Sequence, residues 1–187
     1  MKPFSLYTTC LALLATSWAC TQEQAPPAEV PTQAATESFA AVGSISPLFE
    51  MVKGYIVASA EEIPEDLLSY RPTPEVRTFG EILGHVAMTQ YWFCNAAMGE
   101  GPEPENYEEL TAKADLVAAV QTAFDHCAPA YAMNDIQAME TVELWGETNT
   151  RLWVLSFNLT HAWEHYGNLV TYMRANGLVP PSSQGGE

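Results

Sequence analysis

The chain has 187 residues, of which 48% are hydrophobic, and this is enough for one domain with a sizeable core. It carries 23 Asp and Glu against 7 Lys and Arg, so its formal net charge at pH 7 is −16. Because the few basic residues are scattered singly, the composition argues against a surface for nucleic acid, and we interpret the acidity as a contribution to solubility.

Residues 1–19 have the pattern of an export signal. Lys2 precedes an apolar stretch that is too short to span a bilayer, and Ser17-Trp18-Ala19 fits a small-x-small cleavage site. Cleavage there leaves Cys20 first in the mature chain, where a bacterial lipoprotein carries its lipid anchor. The residues before the cut are unusual for that pathway, so plain secretion stays open. We expect a periplasmic protein or a membrane-anchored lipoprotein that touches the membrane only through this anchor.

Residues 20–37 are rich in Gln, Ala, Pro and Thr, which predicts an extended, flexible linker. The helical domain is then predicted over residues 38–181, with a flexible tail at 182–187. Its first helix is predicted from about Glu37 to Glu62, and Pro47 either kinks it or marks its start after Ser46. The predicted apolar face of this helix holds Leu48, Met51, Val52, Tyr55 and Ile56.

Thr78 and Glu81 predict a capping box at the start of the second helix, which should end at Met98 before Gly99. One stripe of this helix holds Ile82, His85, Thr89 and Trp92. After an acidic loop, Glu103 to Glu109, the third helix is predicted from about Thr111 to Met133 with a kink at Pro129. Its apolar stripe holds Val117, Val120, Phe124, Cys127 and Tyr131.

An irregular stretch, Asn134 to Glu147, is predicted to precede a fourth helix from about Asn149 to Asn176. Four amphipathic helices with almost no strand signal predict an all-α four-helix bundle. Cys94 and Cys127 lie on the second and third helices, and export permits a disulfide between them. Free cysteine is also an ordinary core residue, so we favour two unpaired thiols here.

The fourth helix carries a stripe of polar and aromatic residues, and the second helix contributes a tryptophan, so we predict the wall of a polar pocket. The candidate pocket residues are Trp92, Asn158, Asn168 and Tyr172, for each of which helix packing is the alternative. His161 and His165 stand one turn apart on one side of the helix, within reach of a single metal ion. His85 on another helix is the candidate third ligand.

The string His161-Ala-Trp-Glu164-His165 also matches a pattern of inverted zinc peptidases, in which the glutamate is the general base. Those enzymes need a far larger fold with a ligand further along the chain. Glu164 also falls outside the polar stripe. We therefore interpret the match as accidental.

Several motifs of this chain are similar to those of the DinB/YfiT-like four-helix bundles. The similar segments are Ser69-Tyr-Arg-Pro72, Arg77-Thr-Phe-Gly-Glu-Ile-Leu-Gly-His85, His161-x-x-x-His165-x-Gly167, Tyr172-Met-Arg174-x-x-Gly177 and Pro180-Pro181. The resemblance covers about Leu48 to Ser182. It implies that the three histidines bind a divalent ion, often zinc or nickel in such proteins. Tyr166 and Asn168 depart from the arginine and glutamine frequent in the family, and His126 matches nothing and is predicted to lie on the surface.

The family includes thiol-dependent S-transferases and a mycothiol-dependent isomerase, while many members have no known activity. The resemblance therefore implies a metal-dependent transferase of the thiol S-transferase type, or a hydrolase, acting on a small molecule that could be a low-molecular-weight thiol. The alternative is a non-enzymatic exported bundle that binds a metal or small ligand for structure, storage or sensing. A fourth protein ligand would favour the structural role, and an open cleft would favour catalysis. Metal binding should weaken as the pH falls through about 6.5, because protons compete for the histidine nitrogens.

Overall fold

A computed structural model describes residues 41–99 and 105–185, so the predicted export signal, Cys20 and the linker lie outside the described residues. The regular elements are α1 Ala41–Glu62, α2 Phe79–Met98, α3 Lys113–Cys127, α4 Asp135–Ala138, β1 Thr141–Leu144, β2 Glu147–Thr150 and α5 Arg151–Ala175. Short 3-10 turns lie at Glu65–Leu67, Tyr107–Glu109, Ala130–Ala132 and Pro181–Ser183. Across these two ranges, no helix combines the length and the apolar character that crossing a bilayer requires.

The four long helices pack around one core. Helix α2 packs against both α3 and α5, and α1 packs against the same two helices from the other side. Four phenylalanines with almost no solvent exposure fill the centre: Phe49, Phe79, Phe93 and Phe124. The prediction of a mostly helical domain is confirmed, and the pairing of α2 with α5 is the contact that matters for the site.

Helix α2 begins and ends where the sequence predicts. Thr78 Oγ1 accepts a hydrogen bond from the Glu81 backbone N–H at 3.2 Å, and Glu81 Oε2 accepts one from the Thr78 N–H at 2.7 Å. This capping box satisfies two N–H groups that the first helical turn leaves unpaired. Gly99 ends the helix with a φ of 72°, which glycine adopts at no steric cost. The position of His85 along α2 is thereby set by local sequence.

Helix α1 differs from its prediction in which of its residues face the core, while the predicted start at about Glu37 lies outside the described residues. It runs through Pro47, so a start after Ser46 is wrong. Leu48 and Met51 are 44% and 47% exposed, while Phe49 is fully buried. The buried residues of α1 are Val42, Phe49, Val52, Ile56, Ser59 and Ala60. The apolar residues of α1 occupy more than one face, so tertiary packing decides which of them enter the core.

Helix α3 is shorter than predicted and ends at Cys127. Proline has no N–H to continue the helical hydrogen bonds, and the chain at Pro129 passes into the 3-10 turn Ala130–Ala132. In the predicted apolar stripe Val117 is half-buried, and the other members are buried: Val120, Phe124, Cys127 and Tyr131.

The stretch predicted to be irregular contains a short helix and a β-hairpin. Asn134 and Gln137 form a second capping box at α4. Strands β1 and β2 then pair antiparallel, with Thr141 opposite Thr150. Their two-residue turn is Trp145-Gly146, whose φ angles are 56° and 78°. Both residues have left-handed backbone angles, as a type I′ hairpin turn requires. Tryptophan is unusual at such a position, so the local sequence contains no clear turn signal.

Cys94 and Cys127 form a disulfide, which corrects our expectation of two unpaired thiols. Their Cα atoms lie 5.3 Å apart, and both side chains are fully buried between α2 and α3.

The predicted tail at 182–187 begins later than expected. The Ser182 N–H donates to Tyr166 Oη at 2.9 Å, and Gln184 Nε2 donates to Glu62 Oε2 at 2.7 Å. The chain thus contacts the rest of the domain through the Ser182 backbone and the Gln184 side chain.

Candidate metal centre

Three histidines from two helices converge in the groove between α2 and α5. His85 Nε2 lies 3.3 Å from His161 Nε2, and His165 Nε2 lies 3.1 Å from His161 Nε2. One ring nitrogen from each residue lies within 4.8 Å of the other two. The predicted convergence is confirmed, and it follows from one-turn spacing on α5 combined with the packing of α2 alongside.

The separations between these nitrogens suit the ligands of one ion. Two nitrogens bonded to zinc at about 2.0–2.1 Å in tetrahedral geometry lie about 3.3 Å from each other. Two of the three separations, 3.3 and 3.1 Å, agree with this value, and the third pair, His85 and His165, lies within 4.8 Å. The donor set, three imidazoles, also suits zinc, copper, iron or nickel better than the oxygen-seeking calcium or magnesium.

Each histidine has a polar neighbour at its outer nitrogen, Nδ1. Glu108 Oε1 lies 2.8 Å from His85 Nδ1, Thr89 Oγ1 lies 3.5 Å from His161 Nδ1, and Asn168 Nδ2 lies 3.4 Å from His165 Nδ1. Such partners on the far side of the ring fix the orientation of metal-binding histidines. All three Nε2 atoms are thereby directed inward.

The outer partners also fix where the ring protons lie. The Glu108 carboxylate can only accept, so His85 Nδ1 carries the proton. The Thr89 hydroxyl donates to the His85 carbonyl oxygen at 2.8 Å, so its oxygen accepts from His161 Nδ1. In the neutral rings, the Nε2 lone pairs of His85 and His161 then face each other at 3.3 Å. Facing lone pairs repel, and either a bound cation or a proton on His165 Nε2, which lies 3.1 Å from His161 Nε2, relieves this repulsion.

Burial keeps the three imidazoles neutral. It lowers the pKa of His161 to about 4 and that of His165 to about 4, and the neighbouring histidines add to both shifts. Burial also lowers the pKa of His85, although the hydrogen bond to Glu108 acts in the opposite direction. Since metal ligation requires the deprotonated ring, the histidines are ready to bind at neutral pH.

The lowered pKa values change the expected pH dependence of metal binding. A proton competes with the ion only below the pKa of the free ligand, so two of the three ligands compete only as the pH approaches about 4. We therefore expect the zinc dissociation constant to rise by less than about tenfold between about pH 7.5 and pH 6, measured by competition with a chromophoric chelator. Three ordinary histidines would instead produce a steep rise centred on about pH 6.5.

A cavity of about 630 Å³ adjoins His165. Asn168 and Tyr172 line it, as predicted, and the Tyr172 hydroxyl donates to the Arg77 carbonyl oxygen at 2.9 Å. Glu164 also lines it, although this residue falls outside the polar stripe of α5. The remaining lining residues are Arg71, Pro74, Glu75, Val76, Arg77, Glu81, Ile82 and Glu108. The cavity wall is mostly charged and polar.

Trp92 and Asn158 do not line this cavity, so two of the four predicted pocket residues are corrected. Asn158 is fully buried, and its Nδ2 donates to Gln90 Oε1 at 2.9 Å and to Tyr131 Oη at 3.2 Å. It therefore belongs to a polar network inside the core. Trp92 packs against Trp145 at the tip of the hairpin, with ring centroids 5.6 Å apart. For both residues, helix packing is the correct interpretation.

His126 is not the surface residue that we predicted. Its side chain is half-buried, its Nε2 lies 2.7 Å from Asn95 Oδ1, and its ring centroid lies 4.7 Å from that of Tyr91. It is distinct from the metal cluster, and its role is a contact between α3 and α2.

The role of Glu108 is not visible in the sequence patterns. This residue belongs to the acidic loop, which has no helical periodicity to show which residue faces the site, and its partner is 23 positions away. Among the described His, Cys, Asp and Glu side chains, the group spaced for one ion contains the three histidines and no fourth member. Because His165 borders the cavity, the candidate centre opens toward it.

The DinB superfamily model matches residues 48–169. Among solved structures, a DinB-like protein from Bacillus cereus ATCC 10987 is 15% identical, with a TM-score of 0.64 over 73% of this chain and 95% of that one. A DinB-like protein from Bacillus subtilis is 20% identical, with a TM-score of 0.60 over 76% of this chain and 99% of that one. No curated protein matches. At these identities the structural likeness concerns the fold.

Proposed function

This chain belongs to the DinB superfamily, and on that premise we propose that it is a divalent-metal-dependent enzyme acting on a small molecule. The proposed reaction class is transfer to or from a thiol, or hydrolysis. The single observation that carries the proposal is the convergence of three inward-facing imidazoles beside an open cavity. A structural site would close around its ion with four protein ligands, whereas a catalytic site keeps a position free.

The proposed ligands are His85, His161 and His165, and the proposed metal is zinc or nickel. When bound, a divalent ion supplies Lewis-acid chemistry that lowers the pKa of a coordinated water or thiol. The chain itself excludes water from one side of the cluster. The rings of Phe93 and Phe157 lie with their centroids 5.6 and 6.4 Å from that of His161, which leaves access from the His165 side.

The cavity is the proposed substrate site. Its volume is within the range of about 300–1,000 Å³ that is usual for small-molecule pockets. Arg71 and Glu164 offer charged groups of opposite sign at its wall, and Asn168 offers an amide. The hydrogen bond from Tyr172 to Arg77 ties α5 to the segment before α2, so it holds two sides of the cavity together. A small polar molecule, for which a low-molecular-weight thiol is one candidate, suits these walls.

The experiment is metal analysis of the purified chain, followed by substrate screening for thiol transfer and hydrolysis. We expect close to one divalent ion per chain, with turnover that chelation removes and that added zinc or nickel restores. Tightly bound metal with a large chelator-induced loss of thermal stability and no turnover on any substrate would favour the non-enzymatic alternative. Absence of metal from the purified and the metal-soaked protein would contradict both.

The proposed location is outside the cytoplasm, with a lipid anchor at Cys20. The support is the signal-like sequence of residues 1–19 together with the Cys94–Cys127 disulfide, because disulfides persist mainly in oxidising compartments. Mass spectrometry of the N-terminal peptide from native membranes tests this directly. An acylated Cys20 is expected, and an intact Met1 in the mature protein would contradict it.

A further inference from the structure

The acidic loop places one carboxylate against the metal cluster. Glu108 lies on the 3-10 turn Tyr107–Glu109, and its side chain is 26% exposed. Its Oε1 accepts from His85 Nδ1 at 2.8 Å, while Arg77 donates to the same carboxylate through Nε at 3.1 Å and Nη2 at 3.2 Å. The two-point contact with the guanidinium fixes the plane of the carboxylate, which in turn fixes the plane of the imidazole.

Gly84, the residue before His85, is where this loop rests on α2. A Cβ atom at position 84 would lie 2.2 Å from the Tyr107 carbonyl oxygen and 2.8 Å from Glu108 Cα. No side chain fits there unless the loop backbone moves. The absence of a side chain at Gly84 therefore allows the loop to approach closely enough for Glu108 to reach the ring of His85.

The three outer contacts of the cluster are not equivalent. Thr89 and Asn168 are neutral and lie 3.5 and 3.4 Å from their histidines, whereas Glu108 is a carboxylate at 2.8 Å. A short, charge-assisted hydrogen bond is the stronger constraint and also makes the imidazole a better electron donor. The orientation of His85 depends on a residue 23 positions away in a loop, whereas the outer partners of the α5 histidines, Thr89 and Asn168, lie on the two helices that form the groove.

We propose that Glu108 is the positioning residue of the metal centre and that Gly84 is the position that admits it. The inference rests on the proposed metal site. Glu108 holds the proton of His85 on Nδ1 and thereby turns the Nε2 lone pair toward His161 and His165. The acidic loop and α2 together hold His85 in the orientation that metal binding requires.

The test is zinc affinity of the full chain, measured by chelator competition on the wild type and on Glu108→Gln, Glu108→Ala and Glu105→Gln. The glutamine keeps an oxygen for His85 but removes the charge, and alanine removes both. Loss of such an outer partner typically weakens metal binding about 10–100-fold. We expect about tenfold weakening for Glu108→Gln, more for Glu108→Ala, and no change for Glu105→Gln, which removes an exposed charge from the same loop.

A second pair of variants tests the contact with the loop. Gly84→Ala should weaken zinc binding to the level of Glu108→Ala, because the added methyl displaces Tyr107 and Glu108. Gly167→Ala is the matched control, since a Cβ there meets nothing within 4 Å although the residue is two positions from His165. Far-UV circular dichroism verifies folding. If Gly84→Ala fails to fold, the zinc affinities of Glu108→Gln and Glu108→Ala decide whether Glu108 positions His85.

A measurement on the metal-free protein tests the role of Glu108 independently of the proposed function. In the chelated protein, the ¹⁵N chemical shifts of the His85 ring should report a proton on Nδ1, and Glu108→Ala should convert the ring to a mixture of tautomers. Wild-type protein that binds no metal would refute the proposed function, and the tautomer would still decide the role of Glu108. Equal zinc affinities for wild type and Glu108→Ala, or an unchanged tautomer, would overturn the inference.

Discussion

Replacing His161 with alanine should abolish stoichiometric metal binding while leaving the helical bundle folded. His161 Nε2 is the central atom of the cluster, at 3.3 Å from His85 Nε2 and 3.1 Å from His165 Nε2, so its loss leaves two ligands on different helices. We expect the zinc affinity to fall by more than about 100-fold, beyond the effect expected for an outer partner. Any metal-dependent turnover should disappear with it.

The matched control is His126→Ala. This histidine is also half-buried and hydrogen-bonded, but it contacts Asn95 rather than the cluster. Metal content and zinc affinity should remain those of the wild type, although thermal stability can fall. Competition titration and elemental analysis of both variants, beside circular dichroism, give the comparison. Full metal content in folded His161→Ala would show that the ion binds elsewhere.

Of the proposed changes, removing the Cys94–Cys127 disulfide should lower the free energy of unfolding the most. The bond closes a loop with a sequence separation of 33, for which the chain-entropy relation gives about 4 kcal/mol at 25 °C. The double variant Cys94→Ala, Cys127→Ala also removes two sulfur atoms from the core between α2 and α3. Denaturant unfolding of the variant and the oxidised wild type should therefore differ by about that free energy.

Reducing agent provides the control for this comparison. Adding dithiothreitol should lower the unfolding midpoint of the wild type and leave that of the double variant unchanged. The disulfide is fully buried, so reduction of the native protein should require opening of the α2–α3 contact. Equal free energies of unfolding for the oxidised wild type and the double variant would show that the bond does not restrict the unfolded chain.

The features that the sequence predicts well are those whose causes are local. The capping box joins Thr78 and Glu81, which stand three positions apart, and Gly99 stops α2 by its own backbone preference. The one-turn spacing of His161 and His165 is likewise a property of α5 alone. His85 is a candidate third ligand as a histidine on the stripe of another helix, and the family resemblance adds support, because the sequence spacing of two distant helices does not say how they face each other.

The features that the sequence analysis missed depend on tertiary packing. Asn158 shares the polar stripe with His161, yet its side chain is fully buried in the core and donates to Gln90 Oε1. The turn at Trp145 adopts a left-handed backbone while its ring packs against Trp92, Phe93 and Phe157, so long-range contacts stabilise a turn that the local sequence disfavours. Glu108 reaches its partner only because Gly84 lacks a side chain.

The placement of the ligands on α2 and α5 has a kinetic consequence. His85 and His161 are separated by 76 positions, so an ion cannot meet all three imidazoles until these two helices have paired. If an ion binds at the proposed site, we expect its capture to be a late event that contributes little to the barrier on the folding side. An interaction that is absent from the folding transition state slows unfolding instead. The ion would govern how long a folded molecule persists rather than how quickly it forms.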